Sequence, residues 1–446
     1  MKDKVHTLPS FTTYINKMFG FRSHLPGLAD SRSDPEISPQ TIFLAMFHSF
    51  VFRLPSMQQL ETDLASPCLQ AWIGTERAFR DDTLRYSLCG FELEQLEQIL
   101  VDVNRRLKRA KVFYPGRVQG RIVAALDGVE VLSSFSRCCD TCLQRRVWVR
   151  DQTGRKVEQV QYYHRAVGCQ IVNSPVKPVL AWEWLQPGES EDTAALRLLN
   201  RLPGLYGSKF FDILLLDALY AQTPVLELTQ RMGWDVVISL KRNLPDLHQS
   251  AQRLFNRRPP DCCYTECHHG KRYEIQLWDT DGLPFCGDNP QPMRVVRSQE
   301  TLTRNRYRGG SLTPHSTEHE WLWMTTLDST EFPAPQIRAL GHDRWKQENN
   351  GWNDLTQNWA FKHGFLHACR HRPKDKELSP TGESQLVPNR GLAAVTLILL
   401  IAFALVSAFA LRHSKLVPQY HHTTLAVSCQ LYTSRSKAPP PIRGPD

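Results

Sequence analysis

The chain has 446 residues, enough for two or three domains with a sizeable hydrophobic core. Lysine and arginine number 54 against 45 aspartate and glutamate residues, a net charge of +9 that suits a polyanionic partner but does not fix the fold. The opening segment MKDKVHTLPSF is polar and charged, which argues against a cleavable signal peptide. The 12 scattered cysteines then predict mostly free thiols in the cytoplasm rather than a secreted, disulfide-stabilised protein.

The first 115 residues have a helical pattern. Apolar side chains recur every three or four residues along one segment, as in an amphipathic helix: Leu93, Leu96, Leu100, Val103 and Leu107. The end of this helix is basic, and Arg105 and Arg106 are candidates for contacts with DNA phosphates. A solvated helix end favoured by the helix dipole explains the same residues equally well.

From residue 120 onward, apolar runs predict strands that alternate with helices. GRIVAALDGVEVL indicates a strand ending at Asp127, and YYHRAVGCQIV and KPVLAWEWLQ indicate two more. A helix, a buried strand running into Asp217, a second helix and the strand WDVVISLK follow. Residues 245–335 then read as strands among turns, and residues 336–412 return to a helical pattern.

Three carboxylates stand out in this order of elements. Asp127 and Asp217 are expected at the carboxyl ends of buried strands, where open sheets bind ligands. Glu348 follows Arg344 by four residues in RWKQENNGWNDL, so the two share a face of a helix. Carboxylates that converge from distant segments are ligands for divalent metal ions in phosphoryl transfer. Each aspartate alone is more often a turn former, and Arg344 and Glu348 alone are a surface salt bridge.

These motifs resemble those of insertion-sequence DDE transposases over roughly residues 10 to 410. LDGVEVLSS is similar to the strand of the first catalytic aspartate, LLLDALYA to that of the second, and RWKQENNGWNDL to the helix of the glutamate. The resemblance implies an α/β fold: an RNase H-like mixed sheet flanked by helices, with an all-α N-terminal domain and a β-rich insertion before the last catalytic helix. It also implies two Mg²⁺ or Mn²⁺ ions at Asp127, Asp217 and Glu348, with Arg344 on the DNA backbone.

The resemblance also implies a domain order and a set of partners. The expected parts are a helical DNA-end-binding domain, the first part of the RNase H-like core, the β-rich insertion, the C-terminal helices of the core and a disordered basic tail: residues 1–115, 116–244, 245–335, 336–412 and 413–446. The expected partner is double-stranded DNA, both as terminal inverted repeats and as target. Because two ends must be paired, the resemblance implies a homodimer that is cytoplasmic and DNA-associated.

The sequence departs from the family signature around the glutamate. That signature commonly has Tyr three residues before the Arg and Lys seven residues after the Glu, where this chain has Gly341 and Leu355. Lys362 lies seven residues farther on and is expected to keep roughly the same helical face, which makes it the substitute candidate for a DNA contact.

Two other groups of residues permit two interpretations each. Cys-x-x-Cys in CCDTCLQRR and the cysteines of CCYTECHHG can form a zinc site, although free buried thiols are the favoured interpretation: Cys139, Cys142, Cys263 and Cys267. The segment RNRYRGG can contact phosphates or form a solvated loop: Arg304, Arg306 and Arg308. Trp321 and Trp323 can stack on an extruded base, but core packing is the commoner role of a tryptophan in a strand.

Residues 391–411 carry no charge and are long enough to span a bilayer. An RNase H-like sheet also needs apolar helices to cover it, so we expect a buried core helix here rather than a membrane span.

The sequence therefore favours a transposase that cuts the ends of an element and joins them to target DNA. The alternatives are an RNase H-like nuclease without strand transfer, a decayed or repurposed DNA-binding copy, and a membrane-anchored protein.

Overall fold

The computed structural model describes residues 7–268, 270–284, 292–308, 311–363, 365–367, 390–413, 420–437 and 439. The α-helices are α1 Leu8–Phe19, α2 Pro39–Val51, α3 Met57–Leu64, α4 Pro67–Ile73, α5 Asp81–Cys89, α6 Leu93–Arg109, α7 Glu191–Tyr206, α8 Thr223–Met232, α9 Pro245–Phe255, α10 Ala334–Asp343, α11 Trp345–Gln347, α12 Asn353–Asn358, α13 Arg390–His413 and α14 Tyr420–Thr433. The strands are β1 Val123–Ser134, β2 Leu143–Arg150, β3 Lys156–Ile171, β4 Val179–Trp184, β5 Ile213–Leu216, β6 Asp235–Ser239, β7 Cys262–His268, β8 Lys271–Pro284, β9 Pro292–Arg308 and β10 Ser311–Thr325.

The chain divides into two compact units. Unit 1 contains residues 1–115, 128–194 and 349–446, and unit 2 contains residues 116–127 and 195–348. The all-α character of residues 1–115 agrees with the sequence prediction, but these helices do not form a compact unit of their own. The five predicted parts therefore describe the order of elements along the chain better than they describe its compact units.

Helix α13 is the central helix of unit 1. It packs against α1, α2, α5, α6 and α14, and its apolar side chains are almost fully enclosed. By length and composition it could cross a membrane, but 94% of its most apolar window is buried in the protein. Phe409 meets Phe11 edge to face at 5.3 Å, and Phe403 meets Trp359 at 5.4 Å. The prediction of a buried core helix is confirmed, because the surrounding helices offer apolar faces on every side of it.

The end of the chain differs from the expected disordered tail. Helix α14 lies within residues 413–446 and buries Val427 and Leu431. The Ser434 hydroxyl accepts a hydrogen bond from the backbone N–H of Leu8 at 2.8 Å, which joins this segment to the start of α1. The prediction missed α14 because a short helix with few apolar residues gains its stability from tertiary packing.

In unit 1, β2 and β3 form a long antiparallel hairpin, and β4 pairs with β3. β2 pairs with β3 from Leu143–Tyr163 to Arg150–Lys156, and β4 pairs with the other half of β3. The sequence did not predict β2, whose segment LQRRVWVR leaves Trp148 69% exposed. Alternate residues of β2 are half-buried, but the exposed face carries Trp148 and the half-buried face carries Arg145, so the sequence does not alternate cleanly between apolar and polar residues.

The sheet order confirms the predicted fold class, a mixed sheet flanked by helices. The strands follow the order β2-β3-β1-β5-β6-β10-β9-β8-β7, with β4 on β3. Strands β1, β5 and β6 are parallel, and β10 returns antiparallel to β6. The β-rich insertion is the antiparallel meander β7–β10, in which β7 was not predicted because its side chains are largely exposed. Helix α10 packs on this sheet within unit 2.

Candidate active site

Asp127 and Asp217 occupy matched positions on neighbouring parallel strands. The pairing of β1 with β5 runs to Ala125 opposite Leu215, and each aspartate lies two residues beyond that pair. Neighbouring strands lie about 4.8 Å apart, and residues two apart point to the same face. The two carboxylates are therefore brought to one edge of the parallel pairing. Contrary to the prediction, β1 does not end at Asp127 but continues to Ser134.

Asp217 is partly buried and has positively charged neighbours. It directly precedes a short 3₁₀ helix that begins at Ala218, and its Oδ1 is 3.0 Å from Lys241 Nζ. Burial acts to raise the pKa of Asp217. The Ala218 N–H, the Lys241 ammonium and the positive charge of Arg344 outweigh it and hold this pKa below its ordinary value. Asp217 is consequently a carboxylate at neutral pH.

Arg344 brings a buried positive charge to both aspartates. Its side chain is only 10% exposed, and its Nη1 lies 3.6 Å from Asp127 Oδ2. Its charge also lowers the pKa of Asp217. The Nε of Arg344 is buried and has no hydrogen-bond partner among the residues that the structure describes. The ion pair that this arginine forms in the described chain is thus with Asp127, whereas the salt-bridge alternative paired it with Glu348.

Glu348 follows Arg344 on a continuous but irregular helix. Arg344 has helical φ and ψ of −51° and −40° in a turn between α10 and α11. Glu348 then begins a π-helix, Glu348–Trp352, of the kind that often marks functional sites. Glu348 is exposed. Within the described residues, Asp127, Asp217 and Glu348 do not form a group whose ligand atoms all lie within 4.8 Å of one another.

The approach of α10 to β10 explains one departure from the family signature. A Cβ atom on Gly341 would lie 2.2 Å from the Trp323 ring, so a side chain as large as tyrosine has no room here. Trp323 is 1% exposed and contacts His342, which identifies it as a core residue rather than a base-stacking one. Trp321 is partly exposed beside Trp345, with ring centroids 5.6 Å apart. Core packing is therefore the correct interpretation for Trp323.

The basic residues expected to contact DNA are in different parts of the fold. In unit 1, Arg105 is exposed near Asp102, while Arg106 donates a hydrogen bond to the Met18 carbonyl at 3.3 Å. Arg304 lies on β9 in unit 2. The side chains of two further candidates lie outside the described residues: Arg306 and Arg308.

The expectation that Lys362 continues the helical face of Glu348 is wrong. Helix α12 ends at Asn358, and Lys362 is exposed in a turn beyond it. Ala360 lies between them with a positive φ of 52°, which is incompatible with a helix.

Cys139 and Cys142 belong to a compact group with two histidines in unit 1. One ligand atom from each residue lies within 4.8 Å of the others, and Cys142, His164 and His367 are buried. Cys139 Sγ is 3.6 Å from Cys142 Sγ and 3.2 Å from His164 Nε2. Cys142 Sγ is 3.5 Å from His164 Nε2 and 3.0 Å from His367 Nε2. We refer to these four residues as the Cys–His cluster.

The predicted second half of a zinc site is wrong. Cys263 and Cys267 are exposed on β7 in unit 2, and they are not members of the Cys–His cluster. Cys142 is free and buried, as the favoured interpretation expects, but its neighbours are two imidazoles and a second sulfur rather than apolar side chains alone.

The two thiols of the Cys–His cluster titrate as a pair. Burial raises the pKa of the Cys139 thiol, but hydrogen bonds from His164 and His367 outweigh it and lower that pKa to about 4. Burial and the adjacent Cys139 thiolate raise the pKa of Cys142 to about 12. One negative charge is therefore held among two imidazoles and a second sulfur.

Sequence reasoning missed three residues of these two groups. Lys241 follows β6 at the same edge as the aspartates, and its place at the end of WDVVISLK was the available signal. His164 lies within β3, where nothing in YYHRAVGCQIV singles it out. His367 is separated by 225 residues from the cysteine that it contacts, so no local spacing could reveal it.

Residues 144–352 match the sequence model of the family described as "Transposase DDE domain". This range contains Asp217, Arg344 and Glu348 but begins after Asp127. No curated protein matches the chain significantly in sequence.

Among solved structures, the chain is similar to one described as "Cryo-EM structure of piggyBac transposase synaptic complex with hairpin DNA (SNHP)". The alignment covers 97% of this chain and 82% of that chain, at 9% sequence identity and a TM-score of 0.36. The family match alone supports a transposase, because residues 144–352 of this chain are similar to a transposase DDE domain.

Proposed function

We propose that the chain cuts DNA at the ends of a mobile element and joins the released ends to target DNA. In the first reaction water attacks a phosphodiester and leaves a 3′ hydroxyl. In the second, that hydroxyl attacks a phosphodiester of the target and displaces a target 3′ oxygen. The observation that carries the proposal is the matched position of Asp127 and Asp217 beside the buried charge of Arg344.

The proposed ligands for two Mg²⁺ or Mn²⁺ ions are Asp127, Asp217 and Glu348. Carboxylate oxygens are the donors that these hard cations prefer, and the two aspartates are partly exposed, at 20% and 29%. When bound, the ions would activate the attacking oxygen and stabilise the leaving one. The DDE transposase family supports a divalent cofactor of this kind.

Asp127 needs support of its own because the family match begins after it. Its place opposite Asp217 in the parallel register supplies that support, and so does its ion pair with Arg344. A carboxylate with a purely structural role would not require a counterpart at the same level of the next strand.

Arg344 is proposed to hold the reacting phosphate. Its buried Nε–H has no hydrogen-bond partner among the described residues, and an unpaired buried donor of a charged group costs about 1–3 kcal/mol or more. A phosphate oxygen satisfies that donor with a charge-assisted hydrogen bond. Lys241 and Arg344 neutralise the aspartates by themselves, and both can transfer their interactions to phosphate when the carboxylates bind cations.

DNA binding is proposed to use basic residues of both units: Arg105, Arg106, Arg304, Arg306, Arg308 and Lys362. Their contacts with phosphates make binding salt-dependent, with log K falling by about 0.9 per contact for each unit of log salt. The protein is proposed to act in the cytoplasm as a homodimer that pairs two ends. A nearly flat salt titration would contradict the assignment of these contacts.

An excision assay tests the proposal. The substrate is a plasmid that carries the genomic segments on both sides of the reading frame, which would contain the terminal inverted repeats. Asp127→Asn, Asp217→Asn and Glu348→Gln should each abolish cleavage and strand transfer while DNA binding by mobility shift persists. The matched control is Glu318→Gln, an exposed residue on β10, which should cleave like the unmodified protein. Substantial cleavage by any of the three site variants would refute the assignment.

The same assay separates the remaining alternatives. A nuclease without strand transfer would release the ends but give no joined product. A repurposed DNA-binding copy would bind the repeats without cleaving them in Mg²⁺ or Mn²⁺, and the three site variants would then behave like the unmodified protein.

A further inference from the structure

The Cys–His cluster is separate from the proposed catalytic chemistry and needs its own explanation. Its two sulfurs and two imidazole nitrogens come from three parts of unit 1. Cys139 and Cys142 lie in the connection from β1 to β2, His164 lies on β3, and His367 follows α12. Thiolate and imidazole are the ligands that zinc prefers, and Cys-x-x-Cys is a common half of its structural sites.

The distances within the cluster are those of the edges of a zinc tetrahedron. With Zn–S of about 2.3 Å and Zn–N of about 2.0 Å, tetrahedral coordination places two sulfurs about 3.8 Å apart and a sulfur and a nitrogen about 3.5 Å apart. The Cys139–Cys142 sulfur pair is at 3.6 Å. Three of the four sulfur–nitrogen pairs are at 3.0 to 3.5 Å. The remaining two pairs lie within 4.8 Å, so four ligands of the right types are close enough to share one ion.

The surroundings suit a closed, structural site. Three of the four ligands are buried, and His164 packs edge to face on Trp184 at 6.2 Å. The backbone N–H of Cys139 donates to Cys142 Sγ at 3.2 Å, a contact that favours the thiolate form. Four protein ligands complete a tetrahedron, so no position remains for water or substrate.

Hydrogen bonding alone accounts for this cluster less well. The thiol is a weak donor and a weak acceptor, and a neutral imidazole has one donor and one acceptor nitrogen. Such weak bonds can form in pairs, but they do not require all four atoms to lie within 4.8 Å of one another. A shared cation does require that arrangement.

We propose that the chain binds one structural Zn²⁺ through Cys139, Cys142, His164 and His367. The ion ties the β1–β2 connection and the segment after α12 to strand β3 within unit 1. This inference does not depend on the proposed DNA cleavage.

Metal analysis of the untagged, full-length protein tests the proposal. Protein purified without chelators should contain about one zinc per chain by elemental analysis. Replacing both cysteines, as in Cys139→Ser with Cys142→Ser, should lower that content to near zero. The matched control replaces the exposed pair on β7, Cys263→Ser with Cys267→Ser, and should keep the full zinc content.

A spectroscopic measurement covers the case in which the cysteine variant fails to fold. The unmodified protein, with Co²⁺ exchanged for Zn²⁺, should show visible d–d bands of tetrahedral intensity and near-ultraviolet charge transfer from two thiolates. Single His164→Ala and His367→Ala variants should weaken or shift the d–d bands but keep the charge transfer. The proposal is overturned if the unmodified protein holds no zinc and takes up neither Zn²⁺ nor Co²⁺. It is equally overturned if the zinc is lost with Cys263 and Cys267 instead.

Discussion

The two aspartates of unit 2, Asp127 and Asp217, and the Cys–His cluster of unit 1 are both groups of possible metal ligands. Their surroundings differ. The aspartates are hard oxygen donors, partly exposed, and cationic side chains lie against them. The Cys–His cluster has soft donors, is mostly buried, and contains four ligands already assembled. Catalysis requires open coordination positions and side chains that can exchange partners, whereas a structural ion requires a complete shell.

Among the positively charged residues beside the aspartates, the larger effect is expected at Arg344. Arg344→Ala should lower the rate of end cleavage by about 100-fold or more, because a buried positive charge aimed at the reacting phosphate is lost. Arg344→Lys should also be impaired, since an ammonium cannot reproduce the planar fork of the guanidinium. Single-turnover cleavage of end DNA measures both rates. Mn²⁺ binding followed by electron paramagnetic resonance should persist in both variants.

The control for Arg344 is Arg146→Ala, an exposed arginine on β2. It should cleave at the rate of the unmodified protein. If Arg344→Ala also cleaves at that rate, Arg344 serves only as an ion-pair partner of Asp127. The proposal that it holds the reacting phosphate is then wrong.

Selective removal of each metal should separate the two groups. Omitting Mg²⁺ should abolish cleavage but shift the melting temperature little, because the carboxylates keep Arg344 and Lys241 as counter-charges. A mercurial that titrates thiolates should release zinc and lower the melting temperature by about 5 °C or more, because structural zinc contributes to folding directly. Differential scanning fluorimetry with a colorimetric zinc indicator measures both. Equal shifts of the melting temperature from the two treatments would contradict the assignment of a catalytic ion to the aspartates and a structural ion to the Cys–His cluster.

Glu300 on β9 illustrates a carboxylate whose counter-charges come entirely from the protein. It is buried, with Arg338 Nε and Nη2 at 2.9 Å and His342 Nε2 at 2.8 Å. Burial alone would raise its pKa, but these hydrogen bonds and charges lower that pKa from 4.5 to about 2. Because the folded-state pKa is depressed, the stabilisation is present above the unfolded value and is lost as pH falls toward about 2.

Glu300→Gln should therefore lower the free energy of unfolding by about 2 kcal/mol at neutral pH, from the loss of charge-assisted hydrogen bonds. The difference from the unmodified protein should shrink as pH falls from 4.5 toward 2. Urea unfolding at several pH values measures it, with Glu318→Gln on β10 as the exposed control. A difference that stays constant over this range would show that Glu300 is not the titrating group.

The smallest effect is expected at Lys241. Lys241→Met removes a cation that lowers the pKa of Asp217, so that pKa should rise and the acid limb of Mn²⁺ binding should move to higher pH. At neutral pH Asp217 is ionised in either protein, and Mn²⁺ should bind about 3-fold more tightly because a mostly solvent-screened ammonium no longer competes. Weaker Mn²⁺ binding at neutral pH would instead place Lys241 among the groups that support the cation site.

Much of the architecture was predictable because its signals are local. Hydrophobic periodicity indicated the α6 helix, the β1, β5 and β6 strands and the apolar α13 segment, and each is present. The strands β2 and β7 and the helix α14 were missed, since each depends on pairing or packing with a distant segment rather than on a strong pattern of its own.

The sequence by itself determined which residues could serve chemistry: two aspartates in apolar runs, and an arginine and a glutamate four apart. Only the tertiary structure decided their partners. The parallel register set Asp127 opposite Asp217, and the packing of Gly341 against Trp323 fixed the helix that leads to Arg344. His164 and His367 meet Cys142 across 22 and 225 residues of chain. Such a group of metal ligands forms only when the fold brings distant parts of the backbone together, and the spacing of the residues in the sequence does not reveal which parts meet.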